Sequence, residues 1–326
     1  MRGCRPLCCA LLLLTLCGAC RRPSTVRHLA PFDVSLLPHT PVRDQGPSGA
    51  DWVYAMLSLM ESDALVRGDS LPLSAGFVVR RAWEEAAASP MFRKPFSLCG
   101  TGHRLLRTVR RYGLVPEARY PSSVPAGAFS RRQVPPRSVR AASWVADSLF
   151  GGPPPLHFYL DGARYTPLEF GNMVAPEGAY EAFTSFEAWP YGRDVSLPLA
   201  GGQPCDVFRN VTLRALADTL DATLARGRTF VWEGGNGRFR AGLESGLLQL
   251  PSHCRVTARL RQASFDHGLT TGGHLLHIVG TAVSRRGGRK FYVAKGSWGR
   301  RGRLRGYVLL SEGYVLLHTV AVYRRC

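Results

Sequence analysis

A chain of 326 residues with 45% hydrophobic and 20% charged residues can bury a full core, a balance that excludes a disordered chain, a coiled coil and a multi-span membrane protein. The net charge of +19 comes almost wholly from arginine, since Lys94, Lys290 and Lys295 are the only lysines. The basic residues are scattered, as in Arg80-Arg81, Arg110-Arg111, Arg131-Arg132 and Arg285-Arg286, and no zinc finger, RNA-recognition signature or basic helical stripe gathers them, so no specific nucleic acid is expected.

Residues 1–20 read as a signal peptide. Arg2 and Arg5 form the charged end, Ala10 to Leu16 is an apolar stretch too short to span a bilayer, and Gly18-Ala19 precedes Cys20 as in a lipoprotein cleavage box. Cys20 is therefore the expected lipidation site, and the expected location is the cell envelope, periplasmic or membrane-anchored. Five of the nine cysteines lie in this leader; Cys99, Cys205, Cys254 and Cys326 remain in the body, where three pairings are open and the spacing of a zinc site is lacking. Neither a metal nor a cofactor is expected.

After a linker over residues 21–37, the turn Gln45-Gly46-Pro47-Ser48-Gly49 feeds a helix predicted over Asp51 to Val66, where apolar residues recur at helical spacing without Gly or Pro. Ser74 is the expected N-cap of a second helix, Ala75 to Ala88, and a third runs from Arg104 to Tyr112 before Gly113. Residues 121–156, rich in Pro, Gly, Ser and Arg, read as a long loop or insertion boundary. Arg214 to Arg226 is an amphipathic helix and Thr229 to Glu233 a buried strand. Short strands then follow at Leu275 to Val283, Lys290 to Ala294, Tyr307 to Ser311 and Leu316 to Tyr323. Helices first and strands last give an α+β class.

Three blocks carry a resemblance. Pro41-Val42-Arg43-Asp44-Gln45-Gly46-Pro47-Ser48-Gly49-Ala50-Asp51-Trp52 resembles the nucleophile motif of papain-like cysteine peptidases. Gly273-His274-Leu275-Leu276-His277-Ile278-Val279-Gly280 is similar to the strand with that family's histidine, and Tyr292-Val293-Ala294-Lys295-Gly296-Ser297-Trp298-Gly299 to its Lys-Asn-Ser-Trp-Gly block. Leu73-Ser74 through Arg81, Tyr112 to Pro116 with Tyr120-Pro121, Tyr165-Thr166-Pro167 and Thr270-Thr271 extend the likeness toward the bleomycin-hydrolase and aminopeptidase C branch and its envelope relatives in Bacteroidetes-type bacteria. The resemblance implies a papain-like domain over residues 38–326, with a helical left half and a β-rich right half facing across a cleft, and an insertion around residues 121–230.

It also implies roles. Gln45 matches the oxyanion-hole glutamine, His274 the catalytic histidine and Trp298 the tryptophan that shields the histidine's hydrogen bond. Two positions depart: Asp51 stands where the nucleophilic cysteine belongs, and Gly296 where the orienting asparagine belongs. A carboxylate suits the anion-favouring start of a helix. It is nevertheless a poor nucleophile toward an amide, because attack gives an anhydride with a better leaving group than the product amine. Ser48, three residues upstream, sits in the turn and is not an expected substitute. The implied function is a silent pseudopeptidase that binds peptide or protein in its cleft. The alternatives are an active cysteine-type aminopeptidase or endopeptidase, and a basic protein that binds envelope polymers or nucleic acid. His277 is expected to be a core or surface residue on the strand face opposite His274, and Asn210-Val211-Thr212 fits a glycosylation pattern.

Overall fold

The computed structural model describes residues 31–87, 98–120, 139–199, 205–236 and 239–326. Cys20 and the leader lie outside them. In chain order the elements are β1 (Phe32–Leu36), α1 (Asp51–Val66), α2 (Ala75–Ala87), α3 (Gly102–Tyr112), α4 (Val139–Phe150), β2 (Phe158–Leu160), β3 (Ala163–Tyr165), α5 (Pro167–Val174), β4 (Tyr180–Thr184), β5 (Arg193–Ser196), β6 (Val207–Asn210) and α6 (Leu213–Ala225). They continue with β7 (Phe230–Gly234), α7 (Phe239–Ser245), β8 (Leu247–Leu248), α8 (Ala258–Asp266), β9 (Leu275–Ser284), β10 (Lys290–Lys295), β11 (Tyr307–Ser311), α9 (Glu312–His318) and β12 (Thr319–Arg325).

Among the described residues, ten strands form one sheet in the order β5-β6-β4-β12-β7-β9-β10-β11-β8, with β1 added along β9. The helix α1 packs against β9 and β7. Every residue of α1 from Trp52 to Ala64 is buried, so it is a central helix enclosed on all sides rather than a surface helix with one apolar stripe. Three of its buried polar residues are engaged elsewhere in the fold: Ser58 Oγ meets His277 Nδ1 at 2.7 Å, Glu61 binds Arg43, and Asp63 accepts from the Tyr180 hydroxyl at 2.9 Å. Helices α1 to α5 share one apolar core with the near face of the sheet, and the far face closes a second core under Trp232, Tyr292 and Tyr314.

The α+β class, the helix Asp51–Val66 and the strand Tyr307–Ser311 are as expected, and Ser74 Oγ accepts from Phe77 N at the start of α2. Two expectations fail. Within the stretch read as a loop, Val139–Phe150 is helical, burying Ala142, Ala146 and Phe150 at four-residue spacing. The run Leu316–Tyr323 is not one strand: α9 continues to His318 and β12 starts at Thr319. Both parts are buried, so apolar periodicity does not separate them. Among the described residues, no two of Cys99, Cys205, Cys254 and Cys326 are joined in a disulfide. Asn210 is fully buried and its amide binds the backbone carbonyls of Phe186 and Trp189, so the glycosylation pattern falls on a structural residue.

Candidate functional site

The turn before α1 needs its glycines: Gly46 and Gly49 have φ of 58° and 67°, the left-handed region that other residues avoid. Ser48 is buried inside this turn, donating to Gln45 O at 2.8 Å and accepting from Ala50 N, and is therefore spent on structure. Ala50 holds the N-cap position without a side-chain cap, and Asp51 is the first residue of the helix proper. Its Oδ1 accepts from Trp52 N at 2.8 Å, and its Oδ2 faces His274 Nδ1 at 3.4 Å, long for a hydrogen bond but within ion-pair reach. Burial raises the Asp51 pKa above the usual carboxylate value. The hydrogen bond and charge of His274 and the backbone N–H groups of Leu275 and Trp52 oppose that rise.

His274 lies at the entrance to β9, half exposed, with its backbone carbonyl accepting from Gly234 N at 3.0 Å. Its ring is stacked on Phe239 of α7, centroids 4.4 Å apart and planes 13° apart. Phe239 thus fixes the plane of the imidazole by contact. The expected orienting amide is absent from the 296 position, and its place is filled: a Cβ built on Gly296 would fall inside the Trp298 indole. Gln45 is tied to the same block, since Gln45 N donates to Ser297 O at 2.7 Å and Ser297 Oγ donates to Gln45 Oε1 at 2.8 Å. The carbonyl end of the Gln45 amide is thereby engaged and its NH2 end is the remaining donor. His277 is fully buried against Ser58 and takes no part in the site, as expected of a core histidine. Among the described residues no three His, Cys, Asp or Glu side chains are grouped to hold a metal.

A second carboxyl group belongs to this site and was not anticipated. Glu233, fully buried on β7, is the cross-strand partner of Leu275, and its Oε2 accepts from the Tyr323 hydroxyl at 2.8 Å. The one sequence signal was an acid inside the apolar run Phe230-Val231-Trp232-Glu233. Burial first and the neighbouring Asp51 charge next push its pKa up from 4.5 to about 7, against the Tyr323 hydrogen bond and the N–H groups of Gly102 and Gly273. The folded protein thus keeps a proton on Glu233 that the unfolded chain has released, so this group's contribution to stability falls as pH rises from about 4.5 to about 7. His103, His277 and His318, all pushed by burial below the usual imidazole value, contribute with the opposite sign. Glu233→Gln removes that falling contribution, so across this range the variant's stability should rise more steeply with pH, or fall less, than that of wild type. Urea unfolding across this range checks it, and equal slopes in the two proteins would contradict it.

No family model matches the chain, and no curated protein matches its sequence. Among solved structures, PepW from Lactobacillus rhamnosis HN001 superposes with a TM-score of 0.65 at 16% identity, over 93% of this chain and 83% of that one. Digestive procathepsin L 3 of Tenebrio molitor gives a TM-score of 0.45 at 14% identity, over 93% and 72%. The bromelain protease from Ananas comosus gives 0.43 at 16%, over 87% and 92%. The fold is that of the papain-like cysteine peptidases, with a large sheet and helices arranged as in PepW.

Proposed function

We propose that this protein is a catalytically silent relative of the papain-like cysteine peptidases that holds a peptide or protein segment in its cleft. The observation that carries the reading is the pair at its centre: a carboxylate, Asp51, stands 3.4 Å from His274 at the start of the central helix. Attack by a carboxylate on an amide gives an adduct that expels the carboxylate far more readily than the amine, because going forward would form an anhydride well above the amide in energy. The packing of the Trp298 indole over Gly296 adds support, because a histidine that no longer shuttles a proton needs no orienting amide. What remains is binding equipment: the Gln45 amide, the half-exposed imidazole stacked on Phe239, and the backbone around them. The purified protein is expected to leave a fluorogenic peptide library intact. Turnover that disappears in His274→Ala would sink the proposal.

A further inference from the structure

Immediately after Trp298 the chain makes a tight turn, residues 299–306, in which Arg300, Arg301, Arg303 and Arg305 are all exposed. The turn is rigidly built. Leu304 is buried in the apolar cluster under β10 and β11, and Gly306 N donates to Arg301 O at 2.8 Å, Arg305 N to Gly302 O at 3.1 Å and Arg303 N to Glu244 O at 3.2 Å. Gly299, Gly302 and Gly306 take φ of 68°, 71° and 93°, and Arg305 itself sits at 52°, a conformation an arginine adopts only when its surroundings impose it. Four guanidinium groups are therefore displayed by a fixed backbone.

The turn is also joined to the candidate site. Gly299 N donates to Arg43 O at 3.0 Å, Gly296 N to Gly306 O at 2.9 Å, and Asp44, next to Gln45, bridges to Trp298. Asp44 faces Arg301 at 3.5 Å; among the described residues no carboxylate lies within ion-pair distance of Arg300, Arg303 or Arg305. Like charges held together without counter-charges disfavour the free state and favour a ligand that supplies anions.

We propose that this arginine turn extends the cleft into a recognition surface for acidic side chains on the peptide or protein segment bound there. The inference rests on the peptide-binding reading of the site, and a peptide is preferred over a nucleic acid because the turn continues the Gln45 and Trp298 blocks. Binding of a labelled peptide carrying a run of glutamates tests it, beside the same peptide with glutamines and a single-stranded oligonucleotide of equal charge. At low salt the glutamate peptide is expected to bind about five- to tenfold tighter than the glutamine peptide, an advantage that high salt removes. Arg300→Gln/Arg303→Gln should abolish most of the advantage. Arg285→Gln/Arg286→Gln, which removes equal charge from the hairpin at the other end of β10, should keep it. An advantage that survives in the first variant, or an oligonucleotide that binds tighter than the glutamate peptide, overturns the proposal. If the glutamine peptide binds and the glutamates add nothing, only the arginine turn is refuted; if neither peptide binds, the cleft reading falls with it.

Discussion

Glu61→Ala is expected to cost roughly 3–5 kcal/mol of unfolding free energy, because it removes the acceptor at the centre of a buried charge network. The Glu61 side chain lies in the buried face of α1, 1% exposed. Its Oε1 accepts from Arg43 Nη2 and from Leu73 N, both at 2.8 Å, and its Oε2 accepts from the Thr40 hydroxyl. Thr40 in turn receives Lys295 Nζ on its carbonyl oxygen at 2.8 Å. Burial lowers the Lys295 pKa to about 7, and the charge of Glu61 is what opposes that fall. With alanine at 61, Leu73 N–H loses its acceptor and the two cations lose the anion between them. Glu61→Gln keeps a carbonyl acceptor without the charge and should cost about half as much. Denaturant midpoints of the three proteins check the order; a midpoint for the alanine variant equal to wild type would contradict it. The network ties the strand that ends at Lys295 and the segment leading to Gln45 onto α1, so it is the mechanical base of the candidate site.

Arg261→Ala is expected to cost a similar amount, roughly 3–5 kcal/mol, for a different reason. Arg261 is fully buried on α8 with no carboxylate in ion-pair contact among the described residues. Its guanidinium donates to Ser185 O at 2.5 Å, Leu316 O at 2.6 Å, Leu317 O at 3.3 Å and Thr319 O, and lies over the Phe186 ring at 4.6 Å. Three of these carbonyls, those of Leu316, Leu317 and Thr319, belong to the point where α9 ends and β12 begins, where the chain leaves its own hydrogen-bond pattern and needs an outside donor, and Ser185 lies just past β4. Burial pulls the Arg261 pKa down to about 9, so the group stays charged at neutral pH. Alanine would leave the carbonyls without donors beside a cavity. Arg261→Met fills the space without donating and should fall between the two. If methionine matched wild type in a urea melt, the hydrogen bonds would be worth nothing and the account of this junction would fail.

Some of this was legible in the residues and some was not, for physical reasons. The helix Asp51–Val66 stood out because sixteen residues run without Gly or Pro after a glycine turn. The Asp51–His274 pairing followed from two motifs far apart in the chain, which no periodicity would have joined. Val139–Phe150 was hidden because prolines and glycines on both sides dominate the composition, although Ala142, Ala146 and Phe150 keep helical spacing. Phe239 and Glu233 were missed at the site because each acts through tertiary structure, a ring face against His274 and a buried carboxyl group on the strand opposite Leu275. The junction at Thr319 was illegible because its carbonyl is held by an arginine distant in sequence, and the local bond of the Thr319 hydroxyl to Val315 O gives no recognisable stop signal.

The central claim is that the site is silent through its nucleophile position. Its most direct test is Asp51→Cys beside wild type, on a fluorogenic peptide library with a thiol-directed peptide electrophile as control. The Asp51 carboxylate already occupies the start of α1 and faces His274 at 3.4 Å, so a thiol placed there should be labelled by the electrophile and should give cleavage that the electrophile blocks, while wild type does neither. Cleavage by wild type, lost in His274→Ala, would contradict the account.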